Sequence, residues 1–292
     1  MKNYLFVLLG MFAAQCLLAQ EGVYDIFNDR WVINSPSVEM LQAYKLDARI
    51  SHRFGDVAGN VGGWPTFYGL DNSTDVSFGL EYGLSDNLTL GVARSKGAGQ
   101  LRQLVTVSGK YRIFQQQENG VPLSLVLMGM ASVSTARKSA NPSSLNYFEK
   151  FQHRMVDHFA IMAGRKFSNR FSLQLSAGLT HRNVVPNGEE NNLVHAGTSF
   201  RLRLSKTLGL IGEAALPLNG QQSPFSSLKP ASGNYYPPIG IGLAFDTGGH
   251  VFQLNFTNAT GIMPTDYIPA TRSNWLDGQF RAGFTISRIF NL

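Results

Sequence analysis

The chain has 292 residues, 43% hydrophobic, 15% charged and 11% aromatic, with 30 glycines and a formal net charge of +6. That is low in charge and rich in aromatics for a soluble secreted domain, and the positive charge is spread along the chain, without the block of like charges that marks a nucleic-acid-binding arm. The single cysteine, Cys16, falls in the leader taken next, so a disulfide framework, a thiolate metal site and a cysteine nucleophile are excluded from the remainder.

Met1 to Gln20 begins with basic Lys2, continues through an apolar run from Tyr4 to Ala14, and ends with small Ala19, which predicts a secretory signal peptide over 1–19. Gln15 stands where a lipoprotein signal needs a small residue before its cysteine, so Cys16 is not read as a lipid anchor. Residues 20–37 are expected to form a segment that plugs the lumen or lies on the periplasmic side, and 38–292 a barrel. Beyond the leader the longest apolar runs, such as "LVLMGMASV" at 125–133, are shorter than the ~20 residues of a spanning helix. A membrane barrel or a soluble all-β fold remains.

Strand periodicity begins at "LQAYKLDARISHRFG", 41–55, where Tyr44, Leu46, Ala48, Ile50 and Phe54 alternate with Lys45, Asp47, Arg49, Ser51 and Arg53. The same period of two returns in "TDVSFGLEY" (74–82), "LTLGVARS" (88–95), "QLVTVSGKYRIF" (103–114) and "PLSLVLMGMASVS" (122–134). Residues 151–166 read as a strand of ambiguous facing. "FSLQLSAGLTHR" (171–182), "LVHAGTSFRLRLS" (193–205), "LGLIGEAALPL" (208–218), "PIGIGLAF" (238–245), "VFQLNFTNA" (251–259) and "QFRAGFTISRIF" (279–290) follow, about twelve segments in all.

The connections alternate in length. Those at 56–72, 136–150, 219–237 and 260–278 are long, and "GLSDN", "FSNR", "KT" and "TGGH" are short. Short periplasmic turns and longer external loops are the pattern of an outer-membrane barrel, whereas a sandwich supplies no reason for it. Tyr44, Tyr82, Tyr111, Phe171, Phe245, Phe252 and Phe290 fall on the apolar parity at the turn side, where a membrane-interface girdle belongs. Trp64 and Tyr68 would mark the outer rim, and Arg94 and Arg288, on apolar parity, would snorkel to head groups or report a bulge. The fold expected is an all-β, antiparallel, up-and-down transmembrane barrel of about twelve strands in the outer membrane.

By parity the lumen receives Lys45, Asp47, Arg49, Arg53, Glu81, Lys110, Arg112, Arg182, Arg201, Arg203, Glu213 and Arg281. One reading is an ionic core in which Asp47, Glu81 and Glu213 neutralise neighbouring arginines and fix register. The other is a pore whose surplus cations attract anionic solutes.

Several strings resemble a family of uncharacterised outer-membrane β-barrel proteins of Gram-negative bacteria, classed as a domain of unknown function: "RWVINSPSVEML", "ISHRFG", "FYGLDNSTDVSFGLEYGLSDNLTLGVARS", "KYR", "RKFSNRFSLQLS", "HRN" and "FTISRIF". The resemblance spans Arg30 to Phe290, departs from the family pattern at Ala177 where proline is usual, and implies a barrel without implying any chemistry.

An enzyme at the membrane face would pair a serine with a histidine. Ser51 and His52 point to opposite faces, and His195 and Ser199 share a face some ~13 Å apart, so no catalytic residue is assigned. His52, His153 and His181 lie near external strand ends and show no metal-ligand spacing, so neither a metal nor a cofactor is expected. The expected function is a passive pore or transporter for small, anionic solutes, with a structural, docking or adhesion barrel of occluded ionic lumen as the alternative. The expected partners are outer-membrane lipid and the barrel-assembly machinery, which would read the terminal Phe290, and not nucleic acid.

Overall fold

The computed structural model describes residues 22–230 and 233–292; the expected leader and its cleavage point lie outside them. Two short strands, β1 (Trp31–Val32) and β2 (Ser35–Pro36), form an antiparallel hairpin. Among the described residues, twelve more strands then close an antiparallel barrel. They are β3 (Lys45–Asp56), β4 (Ser73–Ser85), β5 (Leu88–Ser95), β6 (Leu104–Phe114), β7 (Ser124–Ser134), β8 (Met155–Lys166), β9 (Phe171–Arg182), β10 (Asn192–Arg203), β11 (Leu208–Pro217), β12 (Ile239–Asp246), β13 (His250–Thr257) and β14 (Arg281–Asn291). Each pairs with its neighbour in sequence, and β14 pairs with β3 to remove the open edge. Inside the membrane every strand N–H and C=O must find a partner, and closure supplies it.

The alternation in the sequence becomes the two faces of the sheet. In β3 Asp47, Arg49, Ser51 and Arg53 are buried, while Ile50 between them is exposed. The strands start and stop within a few residues of where the pattern places them. One difference is 151–154, which forms a 3-10 turn leading into β8. Another is the first strand: Val38 and Leu41 belong to the segment held by lumen-facing Gln174 and Thr89, and the first wall strand begins at Lys45.

That segment enters from the turn side, where Gly22 bridges Gln117, runs inward to the β1–β2 hairpin, and returns to the same side at Tyr44. Two wall glycines admit it. A Cβ on Gly164 would stand 2.5 Å from Val38 Cγ2, and one on Gly240 would stand 3.0 Å from Ile33 Cδ1. From the opposite end the loop between β13 and β14 folds inward and carries a short helix, α1 (Pro264–Ala270), almost wholly buried. Ile262 and Met263, just before α1, join one buried apolar cluster with Ile26, Phe27, Trp31, Val32 and Ile33 of the segment and with Val126, Met128, Met130 and Met162 of the wall. This explains the ambiguous facing near β8: the lumen side of β7 and β8 is apolar because it receives the hairpin and the loop.

Candidate functional site: an occluded ionic lumen

The wall is lined elsewhere by short polar side chains. Ser51, Ser77, Thr89, Ser95, Thr106, Ser172, Thr180, Asn255, Thr257 and Thr285 are buried on inward positions. Among them stand the charged groups, and the inserted segment determines their pairing.

At the centre Asp29 of the segment meets Arg49 of β3. Arg49 Nη1 donates to Asp29 Oδ2 at 2.8 Å, and Nη2 donates to the other oxygen. Asp29 also accepts from its neighbour's backbone, Arg30 N, at 2.7 Å and from Gln253 Nε2 at 3.1 Å. Arg30 in turn reaches Asp47 Oδ2 at 2.8 Å and approaches Glu81 Oε2 at 4.0 Å, while Trp31 Nε1 donates to Glu81 Oε1 at 2.7 Å. Asp47 sits 3.3 Å from Arg49. The result is a cluster of five charged residues, two from the segment and three from the wall. Buried charges persist only when paired and hydrogen-bonded, and the shorter contacts of this cluster join the segment to the wall, with the 3.3 Å Asp47–Arg49 contact lying within the wall.

Deeper along the hairpin, Glu213 of β11 accepts from the backbone N–H of Asn34 at 2.9 Å and of Ser35 at 2.6 Å. Arg53 donates to the Asn34 side chain at 2.6 Å and also bonds Asn255. Glu213 therefore holds the hairpin turn rather than a wall arginine, which differs from the expected wall-to-wall neutralisation because the segment brings donors that parity alone does not reveal. Two further wall cations grip the segment's carbonyls: Lys110 Nζ donates to Glu39 O at 2.6 Å and Arg201 Nη1 to Asp25 O at 3.1 Å. Gln174 completes the hold, accepting from Val38 N and donating to Pro36 O, both at 2.8 Å.

The remaining residues named from the sequence lie at the two ends. Arg182, buried at the external end of β9, bonds Glu189 Oε2 at 3.0 Å and Glu190 O at 2.6 Å. Arg281 bonds Ser273 Oγ at 2.8 Å in the inward loop. Lys45, Arg112 and Arg203 are half-buried at the turn-side mouth, where Lys45 and Arg112 line a vestibule of about 530 Å3 together with Asp25, Arg30 and Glu39. A separate cavity of about 30 Å3 lies beside Trp31, Arg49 and Met263, room for about one or two waters. The segment and the inward loop occupy the lumen between the two ends.

The seven aromatics, Tyr44, Tyr82, Tyr111, Phe171, Phe245, Phe252 and Phe290, are all exposed or half-exposed on the outer face. Arg94 and Arg288 are exposed there too, on strands that run through both positions without a register shift, so no bulge accounts for them. His52 stacks on Phe284 with ring centroids 5.5 Å apart, also on the outer face. His158 and His195 stack at 5.2 Å inside the barrel, where His158 Nδ1 shares a 3.0 Å hydrogen bond with Thr180 Oγ1, while neither Ser199 Oγ nor the ring nitrogens of His195 have a hydrogen-bond partner.

Reasoning from wall parity overlooked Asp29 and Arg30, the segment's half of the central cluster. The signal was present as an adjacent acid and base inside an otherwise apolar stretch, "IFNDRWVI". It also overlooked α1, whose "GIMPTDYIPA" is strongly apolar for an external loop.

With the geometry established, comparisons place the chain. A family model described as a membrane bound beta barrel domain (DUF5777) matches residues 27–290. The chain belongs to that family. No curated, functionally described protein matches the sequence. Among solved structures, an outer membrane channel from Pseudomonas putida F1 is similar with a TM-score of 0.53 at 12% identity, covering 87% of this chain and 98% of that one. KdgM porin in complex with disordered oligogalacturonate is similar at 0.50 and 8% identity, covering 84% and 99%. These likenesses are of fold. Together with the family they make the chain a porin-like outer-membrane β-barrel, embedded in lipid.

Proposed function

We propose that this barrel is a gated channel for small anionic solutes, shut by its own N-terminal segment and its last external loop. The supporting observation is a charge division between wall and segment. The inward wall positions named above, together with buried Asp56 of β3 and Asp75 of β4, comprise nine cations (Lys45, Arg49, Arg53, Lys110, Arg112, Arg182, Arg201, Arg203 and Arg281) and five acids (Asp47, Asp56, Asp75, Glu81 and Glu213). The segment from 22 to 43 carries three acids (Asp25, Asp29 and Glu39) and one arginine, Arg30. The segment thus behaves as a tethered anion, with the Asp29 carboxylate held by Arg49 in the two-pronged geometry by which guanidinium groups recognise carboxylates. Withdrawing it leaves a lumen lined by hydroxyls, amides and surplus cations, which favours anions in transit. Binding of an oligogalacturonate, a polyanion, by the similar KdgM porin agrees with this solute class.

Planar-bilayer recordings of the full chain and of a variant lacking residues 22–43 test the reading. The full chain should be closed or nearly so, and the deleted form should conduct with a reversal potential favouring anions. A folded deletion variant that stays silent or prefers cations refutes it. The second reading, a permanently filled structural or docking barrel, draws on the apolar stripe of Met128, Met130 and Met162 beneath the hairpin. It expects the deletion to unfold the barrel or leave it closed.

A further inference from the structure

Cations on the outer surface are segregated. Arg94 stands near the external end of β5 on the lipid-facing side, flanked in register by Phe78 of β4 and Val105 of β6, both exposed. Above it, the loop from 96 to 103 exposes Lys96 and Arg102, and the loop from 135 to 154 exposes Arg137, Lys138 and Lys150. These two loops are joined into one surface: Ser134 Oγ donates to Arg102 O at 2.7 Å, Thr135 N to Gln103 O at 2.9 Å, and Arg154 Nη1 to the carbonyls of Ser134 and Ala136.

The exposed acids around these cations are Glu149 in the second loop and Asp157 on the outer face of β8; Asp75 and Asp266 lie beneath the first loop, buried and bonded to the backbone N–H groups of Gly97, Ala98 and Gly99, and among the described residues none of the six cations has a carboxylate within ion-pair distance. None of the other long loops gathers cations in this way: 218–238 has the single Lys229, and 258–280 has Arg272 with Asp266 and Asp277. Residues 57–72 contain Asp71 and no lysine or arginine, and 183–191 contain Glu189 and Glu190 without either.

We infer that the β5–β8 rim is a binding site for the phosphate-bearing headgroup of an outer-leaflet lipid. Arg94 decides the class of ligand. A guanidinium set among Phe78 and Val105 lies below the loops, at the level where acyl chains give way to head groups, so it meets an anion whose own tail lies in the membrane. A soluble polyanion resting on the loops would have no use for it. The loop cations then close over the same phosphate from above, and apolar Val105 and Val107 on the strand beneath offer the acyl chains a surface. The site does not depend on whether the lumen opens.

Native mass spectrometry of the full-length barrel in detergent, titrated with bisphosphorylated lipid A and with its dephosphorylated form, tests this. Bisphosphorylated lipid A should be retained and the dephosphorylated form lost. Arg94→Gln should weaken retention about fivefold, and Arg94→Gln/Arg102→Gln/Lys138→Gln by about a hundredfold, at about fivefold per cation. All three residues are exposed, and unchanged heat-dependent gel mobility verifies folding. Arg165→Gln, removing an exposed cation at the turn-side end of β8, should leave retention unchanged. Excess inorganic phosphate should not displace the lipid. Equal retention of dephosphorylated lipid, full retention by the triple variant, displacement by phosphate alone, or sensitivity to the loop cations but not to Arg94 would each overturn the assignment.

Discussion

Neutralising Asp29 is the sharpest perturbation of the closed lumen. Asp29→Asn preserves shape but turns one oxygen that accepts from Arg49 into an amide whose N–H groups oppose the guanidinium. Arg49 then retains one amide oxygen and, as a charged partner, Asp47 at 3.3 Å. Removing one member of a buried pair costs about 3 to 5 kcal/mol, and the surviving Asp47 places this case near the lower end, about 3 kcal/mol. The loss falls on docking of the segment, because Asp29 lies outside the wall strands and their ladder is untouched. A loss of that size moves the closed-to-open ratio by about a hundredfold. In planar bilayers the variant should show frequent openings where the parent shows rare ones. Asp29→Asn/Arg49→Met removes both charges and should recover most of the closure, since replacing a whole buried pair is far milder than halving it. A folded Asp29→Asn protein as silent as the parent, or a double variant more open than the single one, would refute the idea that this pair holds the segment.

The external stopper has its own latch. Asp266 of α1 accepts from Ala98 N at 2.8 Å and Gly99 N at 2.7 Å, tying the last external loop to the loop after β5. Burial first, and then the Asp75 carboxylate, push its carboxyl up to about 7, against the opposing pull of those two N–H bonds and of Arg102. A raised carboxyl favours the docked loop while protonated, so docking is strongest below the usual aspartate range near 4 and weakens as pH climbs toward 7. Amide exchange across 260–278 should accelerate between pH 5 and 8 beyond its intrinsic rate, and Asp266→Asn should abolish that excess; an unchanged profile in the variant contradicts the latch. Lipid contact of the sheet is tested at Val107, which is 54% exposed and lies on the outer face of β6. Val107→Arg should lower the stability of the barrel folded into vesicles by about 2 to 4 kcal/mol, whereas Val61→Arg in the first external loop should change little. Equal stability of both variants in denaturant titrations would show that the outer face is not in hydrocarbon.

Most of the wall was legible because lipid outside and polar groups inside impose a strict period of two, as at Asp47, Arg49, Ser51 and Arg53. Loop alternation separated the short-turn end from the long-loop end because consecutive strands are antiparallel neighbours. The pairing inside was not legible. Parity says that Glu213 points inward, but not that Asn34 and Ser35 arrive with two N–H donors before any arginine can reach it. Likewise Val126, Met128 and Met162 break the polar rule on β7 and β8, and only the packed hairpin explains why. A strand reports which side of the sheet a residue occupies, whereas what fills the space on that side is decided by segments whose sequence has no simple period.

The two stoppers touch. Ile262 and Met263 from outside and Trp31 and Ile33 from inside belong to one apolar cluster, so drawing the external loop away bares the hairpin tip to water, and retracting the hairpin bares the loop. Each removal makes the other less costly, which links the two entrances thermodynamically although no strand shifts. A molecule that captured the long loop would therefore loosen the N-terminal segment at the opposite mouth, with the wall between them unmoved.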